Sequence, residues 1–243
     1  MQKSTKDDII KTQKERENIM IYITGDTHGH LDVGKLSLIN AKKGDYVIIL
    51  GDFGAIWNYE PNFQEKNLLS MYNKLPYTTL FIDGNHENFD RLNAMPVEEW
   101  NGGKIHKITN KVFHLMRGQV FNIEGLKFFT FGGAYSIDKH LRVEGMSWWP
   151  QEIPNYAEVE EGLTNLEKVE YNVDYVLTHT CPSHLINELV EGAEPEPTNK
   201  ILDGFNNLMQ YQNWFFGHWH FDHYFKNPNS KFKCLYNDVI ALN

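Results

Sequence analysis

The chain has 243 residues, 41% of them hydrophobic and 23% charged, a globular balance that excludes a disordered or membrane-embedded polypeptide. Its formal charge of −9 repels polyanions at long range and argues against a nucleic-acid polymer as partner. No apolar run approaches the length of a membrane span, and the two cysteines, Cys181 and Cys234, form no disulfide or zinc-knuckle spacing.

Residues 1–18 are polar, of mixed charge and without a secretory apolar segment. They are expected to form an extension outside the fold, with cytoplasm as the default location. From residue 19 onward the chain is expected to be one domain, 19–243. Strands are predicted over 19–24, 45–50 and 78–83, with a short helix over 31–39 and a longer one over 62–75. Further strands follow over 119–124 and 127–132, joined by a tight turn at Glu124-Gly125. Helices over 157–170, 182–190 and 199–211 then alternate with strands over 173–178, 212–217 and 232–237. The long irregular stretch 133–156 and the Glu- and Pro-rich stretch 191–197 read as loops, and a loop as long as the first is usually functional. Alternating elements with hairpin-like runs predict an α/β fold in which mixed sheets carry helices on their outer faces.

Metal-ligand side chains recur where these apolar runs end. They read Asp26-Thr27-His28, Gly51-Asp52, Gly84-Asn85-His86-Glu87, His179 and Gly217-His218-Trp219-His220. A ligand closing each strand is what an open α/β sheet produces when its site lies outside the carboxyl ends of the strands. Carboxylate and imidazole donors suit manganese, iron or zinc. Asp26 and His28, two residues apart, can grip one ion, and a carboxylate such as Asp52 has two oxygens with which to bridge a pair.

The five blocks, in this order, resemble those of the calcineurin-like metallophosphoesterases. The resemblance implies a four-layer α-β-β-α sandwich with two mixed β-sheets between helices. It implies two divalent metals, manganese first, with iron or zinc as alternatives. Asp26, His28 and His220 would hold one ion, Asn85, His179 and His218 the other, and Asp52 would bridge them. His86 would act as general acid or transition-state stabiliser, and a hydroxide bridging the two ions would attack phosphorus. The substrate would be a small phosphomonoester or phosphodiester. The alternatives are a nuclease or a nucleotide or cyclic-nucleotide phosphodiesterase, and a binding module without catalysis. The Asp-Arg-Gly run of the protein-phosphatase branch is missing, since Gly51-Asp52 is followed by Phe53-Gly54-Ala55. Arg91 and Arg142 are therefore the candidates for a phosphate clamp. Glu87 is expected either to orient a ligand or to cap a helix. Trp57, Trp148 and Trp149 are candidates to stack on a ring, and His30 to lean over the site.

Overall fold

The computed structural model describes residues 19–242, so the expectation for residues 1–18 lies outside the described residues. Three short strands, β1 (Ile21–Thr24), β2 (Tyr46–Ile49) and β3 (Thr78–Phe81), lie parallel side by side. They are near-continuous apolar runs because both faces of a parallel sheet are covered. The crossover from β2 to β3 carries helix α1 (Phe63–Lys74), which starts where the Asn62 side chain accepts the Glu65 N–H at 2.9 Å. Helix α2 (Phe89–Asn93) is a short piece capped in the same way by Asn88.

Five strands appear where the sequence reading placed none: β4 (Val97–Trp100), β5 (Gly103–Lys107) and β6 (Val112–Leu115), and, near the end of the described residues, the short β11 (His223–Tyr224) and β13 (Val239–Leu242). β4 and β5 form an antiparallel hairpin around Asn101 and Gly102, both at positive φ (48° and 91°). Asn-Gly at such a turn is the strongest short-range hairpin signal there is, so the information was in the chain. With the C-terminal β13, strands β4 to β6 complete a seven-stranded sheet in the order β13-β1-β2-β3-β6-β5-β4.

The second sheet has six strands in the order β11-β12-β10-β9-β8-β7. They are β7 (Gln119–Ile123), β8 (Leu126–Phe131), β9 (Tyr175–Thr178), β10 (Asn213–Phe216), β11 (His223–Tyr224) and β12 (Phe232–Cys234). The β7–β8 hairpin turns at Glu124-Gly125, as expected, with φ of 53° and 86°. Its outer face is covered by α3 (Tyr156–Glu167) and α5 (Pro197–Leu208). The expected helix over 182–190 is a 3-10 turn (Ser183–Leu185) running into the single-turn α4 (Ile186–Leu189), and the one over 31–39 is a 3-10 helix (Val33–Leu38).

Three apolar clusters mark the three interfaces of a four-layer α-β-β-α sandwich. Ile23, Ile48 and Leu80 of the first sheet meet Phe128, Leu177 and Phe215 of the second. On the opposite face of β2, Val47 and Ile49 meet Leu68 and Tyr72 of α1. On the outer face of the second sheet, Phe129, Val176 and Trp214 pack with Leu166 and Phe205 of the helices. Alternate residues of one strand thus serve two different cores, the period-two consequence of the pleat.

Candidate metal centre

The carboxyl ends of β1, β2 and β3 and those of β9 and β10 open onto one crevice. Asp26 and His28 follow β1, Asp52 follows β2, Asn85 and His86 follow β3, His179 follows β9, and His218 and His220 follow β10. All seven expected ligands meet there. Asp52 Oδ2 lies 3.2 Å from His28 Nε2, and Asp52 Oδ1 lies 3.3 Å from His179 Nε2. His179 Nε2 is also 3.3 Å from Asn85 Oδ1, and its ring lies 5.0 Å from that of His218. Asp26 Oδ2 is 3.3 Å from His220 Nε2. Asp26, His28, Asp52 and His220 each offer a ligand atom, all within 4.8 Å of one another.

The backbone takes uncommon conformations to bring this about. Among the described residues eight non-glycine positions have positive φ, and four of them are His28, Asp52, His218 and His220. Each costs on the order of 1–2 kcal/mol, which the surrounding loops must offset. Those loops are tied together: the Asp52 carbonyl accepts the N–H groups of Thr27 (3.1 Å) and His28 (2.8 Å), while Asp52 Oδ1 accepts those of Asn85 and His86 (both 2.8 Å). The motif glycines have a steric reason. A Cβ on Gly51 would overlap the His179 ring, one on Gly84 would overlap the Asp52 carboxylate, and one on Gly217 would overlap Asp26 Oδ1.

The electrostatics are those of imidazoles set among buried carboxylates. Burial alone would lower the pKa of His28 and His179, but the neighbouring carboxylates Asp52 and Asp26 win and raise them to about 9 and about 10. Burial would likewise raise Asp52, yet His179 and His28 hold it well below the usual carboxylate range. Asp26 Oδ2 is buried and, among the described residues, has only the poorly aligned His220 Nε2 at 3.3 Å beside it and no well-formed hydrogen bond. A buried carboxylate oxygen so poorly paired is costly, and a divalent cation is the partner that would satisfy it. The donor set of oxygens and imidazoles fits such an ion.

Around the ligands, the structure assigns places that the sequence reading left open. The Glu87 carboxylate is buried and accepts the N–H groups of Phe53 (2.8 Å) and Gly54 (3.3 Å), so it holds the loop after Asp52. Its pKa is pushed well above normal by burial and by Asp52. Arg142 reaches in from the irregular loop, with Nη2 3.3 Å from His86 Nε2 and Nε 2.8 Å from Asp138. Arg91, the other candidate for a phosphate clamp, is held by other groups. Its fork closes on Glu65 at 2.6 and 2.7 Å and on the Asn58 carbonyl at 2.9 Å, which leaves it a structural ion pair. Trp149 is buried with its Nε1 on Asp90 (2.9 Å), so it is no stacking platform, whereas Trp57 lies against His86 with 24° between ring planes. His30 is exposed, and among the described residues its hydrogen-bond partner is the Gln64 carbonyl, at 3.3 Å.

Three contributors had no motif to betray them. Buried Lys35 donates to the Asp26 and Tyr236 carbonyls from behind, and burial lowers its pKa to about 8. Ser136 and Glu152, near the two ends of the irregular loop, pack behind Asn85. Two open cavities adjoin the crevice and share His86. One, of about 490 Å³, is lined by Asp52, His218, His220 and Arg142 together with Asp138, Glu194 and Glu196. The other, of about 500 Å³, is lined by His28, Leu31, Ala55, Trp57 and Leu68.

Residues 19–222 match the calcineurin-like phosphoesterase family, and the chain belongs to it; the class is that of metallophosphoesterases. The curated relatives it matches include the lariat debranching enzyme of Schizosaccharomyces pombe, at 29% identity over 66% of this chain and 36% of that protein. The lariat debranching enzyme of Saccharomyces cerevisiae matches at 26% identity over 69% of this chain and 45% of that protein. The chain thus spans less than half the length of these relatives. Among solved structures, a phosphopantetheinyl hydrolase from Mycobacterium tuberculosis superposes with a TM-score of 0.47 at 14% identity, covering 89% of each chain. Among the described residues no helix is long and apolar enough to cross a membrane.

Proposed function

We propose that residues 19–243 act as one metal-dependent phosphodiesterase domain with two divalent cations, manganese first and iron or zinc as alternatives. The observation that carries this reading is the Asp52 carboxylate, whose two oxygens face imidazoles on opposite sides, His28 at 3.2 Å and His179 at 3.3 Å. Asp26, His28 and His220 would hold one cation, Asn85, His179 and His218 the other, with Asp52 between them. When bound, such a pair supplies Lewis acidity and a water activated near neutral pH.

The chain's own groups would do the rest. Arg142 offers a guanidinium N–H at the crevice mouth, and an arriving phosphate would compete with His86 Nε2 for it. Burial, with Arg142 adding to it and Asp52 opposing, lowers the His86 pKa, and because a guanidinium can only donate, Nε2 is the acceptor in this contact. Once Arg142 turns to the anion, Nε2 can take a proton from the attacking water and pass it to the departing ester oxygen, which leaves as the alcohol, an effect typically worth about 10²–10⁴-fold.

Two observations favour diesters over monoesters. The crevice opens on both sides, into two cavities that meet at His86, which leaves room for a group on each phosphate oxygen. The relatives are lariat debranching enzymes, which brings a branched nucleic acid into view and runs against the expectation drawn from net charge. A local pair of cations would reverse the acidic field where the phosphate lies. The test is turnover of bis-p-nitrophenyl phosphate, p-nitrophenyl phosphate, and a branched against a linear oligonucleotide. Metal-stripped protein should be inert, manganese should restore activity, and diesters should lead. Inactivity on every substrate with each of manganese, iron and zinc would remove the proposal.

A further inference from the structure

Behind Asn85 lies a short relay drawn from the irregular loop. Ser136 and Glu152 are 2% and 1% exposed, as buried as the ligands in front of them. The Ser136 N–H donates to Glu152 Oε1 at 2.8 Å, and the Ser136 hydroxyl donates to Glu152 Oε2 at 2.7 Å. Asn85 Nδ2 donates to Ser136 Oγ at 3.2 Å. Burial raises the Glu152 pKa, and the two donations from Ser136, then the charges of Lys139 and Arg142, oppose it.

A hydroxyl has one proton to give. Here it goes to Glu152, so Ser136 Oγ can only accept from Asn85. An amide has two nearly isosteric ends, and only the oxygen can ligate a cation. With its NH₂ drawn to Ser136, Asn85 must turn Oδ1 the other way, where it lies 3.3 Å from His179 Nε2 inside the crevice. The far end of the relay is also anchored: the Glu152 carbonyl accepts from Arg117 Nη2 at 3.4 Å, and Arg117 grips Asp83, two residues before Asn85.

We infer that Ser136 and Glu152 are positioning residues that set which end of the Asn85 amide faces the crevice, and so govern affinity for the cation held by Asn85, His179 and His218. This rests on the two-cation reading above. Outer partners of a metal ligand typically carry 10–100-fold in affinity. The Glu152→Gln variant is the sharper probe. Its NH₂ would donate to Ser136 Oγ and release the hydroxyl proton toward Asn85, favouring the wrong end of the amide.

The experiment is calorimetric titration of the metal-free protein with manganese, alongside electron paramagnetic resonance of the loaded protein. Wild type should bind two ions and show a coupled pair. Ser136→Ala and Glu152→Gln should weaken one site about 10–100-fold, leave the other within about threefold, and replace the coupled signal by an isolated ion at intermediate loading. Ser136→Thr keeps the hydroxyl and should keep both sites. Wild-type affinities at both sites in Ser136→Ala and Glu152→Gln would overturn the inference and leave the proposed function standing. Equal weakening of both sites, in step with a fall in melting temperature, would overturn it in favour of a merely structural role. A wild type that binds no manganese would overturn both.

Discussion

Gly217 opens the Gly-His-Trp-His block, and its replacement by alanine isolates one steric demand of the site. Its φ is outside the left-handed region, so the substitution brings no backbone strain. The added methyl would lie 3.0 Å from the Leu50 carbonyl oxygen and overlap Asp26 Oδ1. Relief requires the Asp26 carboxylate to retreat by roughly 1 Å to reach an ordinary contact distance. That movement also stretches the 3.0 Å hydrogen bond from the His218 N–H to Asp26 Oδ1, so ligands from both ends of the chain shift together. A misplacement of about 1 Å costs about 10²-fold in rate, equivalent to roughly 2.7 kcal/mol on the barrier. The assay is kcat/KM on bis-p-nitrophenyl phosphate together with manganese affinity by calorimetry, on protein shown by circular dichroism to be folded. The control is Gly204→Ala in α5, where nothing lies within 4 Å of the added methyl. It should keep full activity and gain about 0.5–1 kcal/mol of stability. A folded Gly217→Ala with wild-type turnover and manganese affinity would refute the claim that this glycine exists to let Asp26 approach.

Further outcomes are expected. Asp52→Asn keeps an oxygen to accept the Asn85 and His86 N–H groups but removes the charge between His28 and His179, so turnover should fall about 10²–10⁴-fold in a protein that circular dichroism shows to be folded, while the metal-free form should melt below wild type because both imidazoles lose their carboxylate partner. Arg142→Ala should lower kcat/KM about 10–100-fold, the worth of one charge-assisted hydrogen bond, whereas Arg91→Met should leave kinetics intact and destabilise the fold by about 3–5 kcal/mol through the stranded Glu65; the reverse pattern in activity and urea titration would exchange their roles. His106 has its pKa lowered to about 4, first by burial and then by His114, against about 6.5 in an unfolded chain. The unfolded form therefore binds the proton first, so this contribution is complete above about pH 6.5 and is lost as pH falls toward 4, on the order of 3 kcal/mol in all. Urea titrations across that window should show a shallower slope for His106→Phe than for wild type, and identical slopes would dismiss the assignment.

Legibility in the sequence followed the strength of the local signal. The strands that end on ligands could be read because each is a short apolar run closed by Asp, His or Gly-Asn, and β1, β2, β3, β9 and β10 stand where those runs are. The strands of the 97–115 region escaped because Val97, Glu98 and Glu99 are all exposed and the apolar alternation that marks a half-buried strand is absent there; the turn at Asn101-Gly102 was the available clue. Candidate ligands could be named because their chemistry is rare at strand ends. Their supporters could not: Ser136, Glu152 and Lys35 are ordinary polar residues until folding buries them against Asn85 and Asp26. Arg91 and Arg142 were indistinguishable as sequence; the placement of Glu65 beside the first and of His86 beside the second separates them.

The most direct measurement is anomalous diffraction from crystals soaked in manganese. Two peaks about 3.5–4 Å apart, one on each side of the Asp52 carboxylate, are predicted, with Asp26, His28 and His220 around one and Asn85, His179 and His218 around the other. Saturating manganese that leaves the crevice without a peak, or with a single ion that Asp52 does not touch, would contradict the account.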